Sequence, residues 1–105
     1  MIFGQNWNRE VYPPVDPAVF KKSAHYFHLL FEDAGKITEK ITGTGTYASK
    51  FMEHAQKNEK KEAVSMLKGL SLHSDVDIRY TPETVSIILI ASDQCCQLVM
   101  RLRWS

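Results

Sequence analysis

Residues 75–105, DVDIRYTPETVSIILIASDQCCQLVMRLRWS, form the stretch that decides the fold. Val76, Ile78 and Tyr80 alternate with polar residues, and this period of two is typical of a strand with one buried face. The run 85–91 is the most apolar in the chain, and another alternating run ends the stretch. Turn-forming residues at 81–84 and 93–94 separate the three runs. The stretch therefore predicts three strands joined by two tight turns.

Short connections between consecutive strands predict an antiparallel meander with the second strand in the centre. Alternation then assigns every residue to one of two faces. The predicted inner face, toward the helices, carries Val76, Ile78, Tyr80, Val85, Ile87, Leu89, Ala91, Cys96, Leu98, Met100, Leu102 and Trp104. The predicted outer face carries the apolar side chains of Ile88, Ile90 and Val99.

The first two-thirds of the chain predict helices. Asp16 can be the N-cap of a first helix over 17–41, with Pro17 at its first position, where the missing N–H costs nothing. Its apolar stripe holds Phe20, Ala24, Phe27, Phe31 and Ala34, with Leu30, Ile37 and Ile41 alongside. Helices are also predicted over 47–57 and 59–70, with Asn58 as N-cap of the latter, although the pattern also allows one bent helix.

The length of 105 residues fits one domain. We therefore predict a single α+β domain over 1–105: an extended arm over 1–15, a helical part over 16–70 and the sheet over 75–105. The composition, 44% hydrophobic and 24% charged, is that of a globular protein. Phe3 and Trp7 indicate that the arm packs on the body, and it can cover the outer sheet face.

Charge and cysteine content bear on compartment and partner. The formal net charge of +1 gives little support to a bulk electrostatic partner. Cys95 and Cys96 are adjacent, and neighbours in a strand point to opposite faces, so no disulfide framework is expected. There is no signal-peptide pattern, and the apolar run 87–91 is far shorter than the ~20 residues of a spanning helix. We expect a soluble cytoplasmic protein with no membrane partner.

No residue pattern indicates an enzyme, and no cofactor is expected. His25 and His28 are three apart on the first helix, a spacing that can ligate a metal, with Glu32 four residues further on. They would need another ligand from elsewhere in the chain, so metal binding is an alternative hypothesis only. The thiols of Cys95 and Cys96 have no evident cationic neighbour or helix N-terminus to activate them.

The favoured hypothesis is a small non-catalytic interaction or regulatory module. Ile88, Ile90 and Val99 form an apolar centre on the outer face, and Arg101 and Arg103 form part of its polar rim, as in a protein-binding patch. The partner would be another protein or a second copy of the chain, forming a homodimer through this face or through an edge strand. Scattered surface apolar residues are the simpler alternative.

A second hypothesis is a nucleic-acid-associated regulator. Arg79, Arg101 and Arg103 could contact phosphates and Trp104 could stack on a base. Nucleic acid is not the favoured partner, because the net charge is small and no known binding motif accompanies these residues.

Overall fold

A computed structural model describes residues 14–105. Three helices precede one antiparallel sheet with strand order β1-β2-β3. The elements are α1 Ala18–Thr42, α2 Tyr47–Gln56, α3 Lys60–Lys68, β1 Asp75–Tyr80, β2 Thr84–Ile90 and β3 Gln97–Arg103. This confirms the predicted α+β fold and its meander. Residues 1–13 of the predicted arm, with Phe3 and Trp7, lie outside the described part of the chain.

The core lies between the helices and one face of the sheet. Ile78, Ile87 and Leu89 supply the fully buried strand residues, and all belong to the predicted inner face. The helices contribute their own buried apolar residues, Leu30, Ile37, Phe51, Ala55, Ala63 and Leu67. Contacts place α1 against β2 and β3 and α3 against β1. Alternation in the strands was therefore enough to separate the core face from the outer face.

The apolar stripe of α1 is divided between the core and the surface. Leu30 and Ile37 are buried, whereas Phe20 is 79% exposed and Phe31 is 56% exposed. The stripe prediction was therefore wrong for Phe20, Ala24 and Phe31. Phe31 follows buried Leu30 by one residue, about 100° further round the helix, and so faces away from the core. For Phe20 the reason is length: 25 residues of helix span about 37 Å, while a seven-residue strand spans about 23 Å. The first turns of α1 extend past the sheet and have no strand beneath them.

The helix boundaries follow local hydrogen bonding. Asp16 Oδ1 accepts a hydrogen bond from the Ala18 N–H at 3.0 Å. The N-cap position itself is Pro17 and the helix begins at Ala18, so the predicted start was one residue too early. Helices α2 and α3 are separate, and Asn58 between them has φ 59°. The prediction of Asn58 as an N-cap was wrong, because Asn58 takes the left-handed turn that ends α2, and Glu59 precedes α3 instead.

A buried carboxylate on α1 holds the segment that enters β1. Asp33 is 0% exposed. Its Oδ1 accepts the His73 N–H at 2.9 Å, and its Oδ2 accepts the Ser74 N–H at 2.9 Å and the Ser74 hydroxyl at 2.6 Å. Three bonds compensate for the loss of water around this charge. They fix where β1 begins relative to α1.

β3 begins only at Gln97, so the two cysteines lie in the turn between β2 and β3. Their sulfurs are 2.9 Å apart, so the expectation that strand geometry separates them was wrong. Both thiols are present as free cysteines. The hydrogen bond with Cys96, burial and the neighbouring Asp93 raise the pKa of Cys95 to about 12. Cys95 is therefore a neutral thiol at physiological pH, which does not favour a role as a nucleophile.

Candidate interaction surface

The outer sheet face is built from rows of side chains that cross the strands. The register aligns Asp77, Ile88 and Val99 in one row and Asp75, Ile90 and Gln97 in the next. Arg79, Ser86 and Arg101 form the following row, and Thr84 pairs with Arg103 beyond it. The structure thus brings together all five residues predicted for the interface, Ile88, Ile90, Val99, Arg101 and Arg103.

The apolar centre of this face is open within the described residues. Ile88 and Ile90 are half-buried by their neighbours in the sheet, and Val99 is 49% exposed. Every fully buried strand residue lies on the opposite face, where the helices pack. Among residues 14–105, the outer face therefore has an apolar centre without a helix over it, which is the arrangement expected of a contact surface.

Charge is distributed unevenly along the strands of this face. Asp75 and Asp77 lie toward one end, and Arg79, Arg101 and Arg103 lie toward the other. The Ile78 N–H donates to Asp77 Oδ1 at 2.8 Å, and Lys60 Nζ lies 3.1 Å from the same oxygen. The backbone hydrogen bond and Lys60 hold the pKa of Asp77 below its usual range. Arg101 Nε donates to Ser86 Oγ at 3.3 Å, so the Arg101 side chain extends along the sheet toward its neighbour in the same row.

A family model for the YuzC spore coat inner layer protein matches residues 17–99. The chain belongs to this family. A relative in Bacillus subtilis (strain 168), named "Uncharacterized protein YuzC", is 26% identical over 100 residues, covering 91% of this chain and 80% of the relative. No solved structure matches the chain. The matched region includes the apolar centre of the outer face but ends before Arg101.

The four residues of the nucleic-acid hypothesis do not share one surface. Arg79, Arg101 and Arg103 lie on the outer face, whereas Trp104 packs on the helix side near Phe51, with ring centroids 6.3 Å apart. Its indole N–H donates to the Thr81 carbonyl at 3.1 Å, which anchors the ring. The arginines could contact phosphates, but a base stacked on Trp104 would lie on the other side of the sheet.

The histidines of the metal hypothesis are both exposed on α1. His28 Nε2 lies 3.9 Å from Glu32 Oε2, and Glu32 Oε1 lies 3.2 Å from His73 Nε2. Within residues 14–105, no group of three His, Cys, Asp or Glu side chains is arranged to hold a metal ion. The described part of the chain therefore places no third side chain where it could bind a metal ion together with His25.

Sequence reasoning did not find a cleft between α2, the α2–α3 turn and the strand ends. It has a volume of about 580 Å³. Trp104 and Tyr80 line it together with Asn58, Gln56 and Pro82. These residues are distant in sequence, and only the α2–α3 turn and the β1–β2 turn bring them together. One sign of this cleft was present in the sequence: an aromatic residue at the carboxyl end of β1, Tyr80, and another directly after β3, Trp104.

No helix between residues 14 and 105 combines the length and the apolar character that crossing a bilayer requires.

Proposed function

We propose that this protein is a non-catalytic structural component of an inner spore coat layer and that its outer sheet face binds a second copy of the chain. The description of the family supports the coat role. The observation that carries the contact is the apolar centre of Ile88, Ile90 and Val99 on a face that no helix covers within residues 14–105. Self-association is a role that such a face can perform without catalytic groups.

The charges favour one arrangement of the two copies. In a two-fold pair of facing sheets, an axis that runs across the strands places the acidic end of each copy over the basic end of the other. Such an axis also places β1 of one copy over β1 of the other, so Asp75 of one copy would lie near Arg79 of its partner. An axis along the strands would instead oppose like charges, which costs free energy. The proposed pair therefore has antiparallel facing strands and apolar centres in contact.

The size of the face indicates a weak contact. Three strands about 4.8 Å apart and seven residues about 3.3 Å each give a flat area of about 14 by 23 Å, or about 330 Å². Even doubled to allow for side-chain relief, this is less than the roughly 800 Å² per partner of a stable interface. We infer a concentration-dependent pair in solution that becomes effective when many copies are held close together in a layer.

The test is the solution mass as a function of protein concentration, measured by sedimentation or light scattering. The native chain should shift from monomer toward dimer as the concentration rises. The double variant Ile88→Asp, Ile90→Asp should stay monomeric, because two carboxylates cannot be buried between the sheets. The matched control is Val19→Asp, Phe20→Asp, which alters two exposed apolar residues on α1. Equal association of both variants and the native chain would remove the outer face from the proposal.

We further propose that the chain is cytoplasmic when it is made and is later deposited in the coat. Fractionation tests this: a tagged copy should first be found in the cytoplasmic fraction and later in the coat fraction of mature spores. A tagged copy that stays cytoplasmic in mature spores would contradict the coat role.

The nucleic-acid hypothesis keeps one supporting observation, since Arg79 and Arg101 share a row next to Arg103. Phosphate contacts weaken steeply as salt is added, whereas an apolar contact does not. Gel shifts at low salt with duplex and single-stranded probes would separate the two. Binding that disappears in Arg101→Gln, Arg103→Gln would favour nucleic acid.

A further inference from the structure

The cleft lined by Trp104 and Tyr80 lies away from the outer face and plays no part in the proposed pairing. Its volume of about 580 Å³ is within the range of small-molecule sites, about 300–1,000 Å³. The lining side chains come from α2, the α2–α3 turn, the end of β1, the β1–β2 turn and residues 104–105. They include two aromatic rings and two carboxamides, and none of these side chains is charged.

The aromatic wall is held in place before any ligand arrives. The centroids of the Tyr80 and Trp104 rings are 6.1 Å apart, with their planes at 49°. The Trp104 indole N–H donates to the Thr81 carbonyl at 3.1 Å, and the Trp104 backbone N–H donates to the Glu83 carbonyl at 3.0 Å. The Tyr80 hydroxyl donates to Asn58 Oδ1 at 3.2 Å. A site fixed in this way loses little entropy on binding.

The polar groups of the cleft can both donate and accept. Because Asn58 Oδ1 accepts from Tyr80, the Asn58 amide nitrogen is left with two N–H donors at an exposed position. Gln56 adds a second exposed carboxamide, and the Tyr80 oxygen can still accept. Left-handed backbone at Asn58, with φ 59°, suits asparagine better than most residues and sets the position of its amide.

We propose that this cleft binds a neutral carbohydrate, one or two sugar rings of a glycan. Sugar hydroxyls each donate and accept, which matches the carboxamides, and sugar C–H groups are attracted to the electron-rich faces of aromatic rings. The uncharged side chains of the lining offer no ion pair to a phosphate or a carboxylate ligand. The lining therefore disfavours an anionic ligand, and a neutral sugar matches its carboxamides without leaving a buried charge unpaired.

A proline-rich peptide is the main competing ligand, because such segments bind grooves lined with aromatic rings. A peptide also brings one carbonyl acceptor per residue, which needs N–H donors from the groove. The Trp104 indole N–H is already bonded to Thr81, so the carboxamides of Asn58 and Gln56 supply the remaining N–H donors. Their oxygens also need donors, which sugar hydroxyls provide and proline residues, having no N–H, do not, and this favours the sugar.

The experiment uses the full chain and neutral tetrasaccharides of β-1,4-linked glucose, β-1,4-linked N-acetylglucosamine and α-1,4-linked glucose. Saturation-transfer NMR and calorimetry report binding, and a galacturonic-acid tetramer and a proline-rich peptide are run in parallel. We expect at least one neutral sugar to bind and the acidic sugar to bind more weakly or not at all.

Two variants locate the site. Gln56→Ala removes an exposed carboxamide with little effect on the fold and should weaken binding about tenfold. Trp104→Phe keeps an aromatic ring but loses stacking area and the anchor to Thr81, and should weaken binding by at least about threefold. The matched control is Gln97→Ala, an exposed carboxamide on the outer face that should leave the affinity unchanged.

Three results would overturn the proposal: no neutral sugar binds to the folded chain at millimolar concentration, the peptide binds and the sugars do not, or both cleft variants bind as the native chain does. None of these depends on the oligomeric state. The sugar site and the outer-face contact therefore succeed or fail independently.

Discussion

At the scale of single residues, Asp33 is the side chain on which the junction of helices and sheet depends most directly. Its two carboxylate oxygens accept three hydrogen bonds from His73 and Ser74 in a site with no solvent exposure. Asp33→Asn keeps the shape of the side chain, but it replaces one acceptor oxygen by an NH2 group. That group would point at the N–H and O–H donors that the carboxylate now accepts. We expect a loss of about 2–3 kcal/mol in the free energy of unfolding, measured by urea denaturation.

Two comparisons make this prediction specific. Ser74→Ala removes only the hydroxyl bond and should cost about 1 kcal/mol. Glu39→Gln, an exposed carboxylate on the same helix, should cost about 0.5 kcal/mol or less. If Asp33→Asn is no more destabilising than Glu39→Gln, the carboxylate does not hold the β1 entry.

Asp33 also shows what sequence reasoning can miss at this scale. Leu30, Asp33 and Ile37 are spaced by three and four, so a carboxylate stands in the buried stripe of α1. That position was a signal for a buried acceptor, but its donors are backbone N–H groups some 40 residues away. A helical period cannot locate such donors. By contrast, Asp16 bonds to the Ala18 N–H two residues on, and a bond this local was predictable even though the N-cap position is Pro17.

At the scale of elements, a periodic pattern predicted burial correctly only where the element packed against it was as long as the pattern. Alternation in β2 separated Ile87, which is buried, from Ile88, which is not. The 3–4 stripe of α1 was equally regular, but it predicted burial of Phe20, which lies beyond the sheet. A stripe shows which side of a helix is apolar. It does not show where the surface that covers it ends.

The contact between α3 and β1 gives a prediction about pH. The Ile78 N–H and Lys60 hold the pKa of Asp77 below its usual range in the folded chain. The carboxylate therefore stabilises the fold above the unfolded pKa of about 4, and this contribution is lost as pH falls through the folded pKa. The native chain should exceed Asp77→Asn in unfolding free energy at pH 7, and the gap should narrow toward pH 3.

Urea denaturation at several pH values between 3 and 7 measures this gap. Asp75→Asn in the same strand is the matched control for losing one surface carboxylate. A gap that stays constant over this range, or one that widens as the pH falls, would show that the charge of Asp77 does not link α3 to β1.

At the scale of the whole molecule, strand order and face assignment were predictable because they depend on local turns and alternation. Association was not, because it depends on how rows of side chains from three strands combine. Asp75 and Arg101 are 26 residues apart in sequence, and only the register places them toward opposite ends of one face. The polarity of that face, acidic toward one end and basic toward the other, makes the proposed pairing testable without altering the apolar centre.

Charge exchange is the sharpest test of that pairing. Arg79→Glu alone should weaken association, because it places a carboxylate opposite Asp75 of the partner. Asp75→Arg alone should also weaken association, because the introduced guanidinium would face Arg79 of the partner. Both changes in one chain restore opposite charges across the two-fold axis and should recover most of the native association, as measured by sedimentation at low salt.

Since exposed pairs contribute about 0.2–1 kcal/mol each and occur twice in a two-fold dimer, the expected change is about twofold to thirtyfold in the dissociation constant. Added salt should shrink all these differences, because screening acts on the charges and not on the apolar centre. A double variant that associates no better than either single variant would exclude the axis across the strands, even if Ile88 and Ile90 are buried in the dimer.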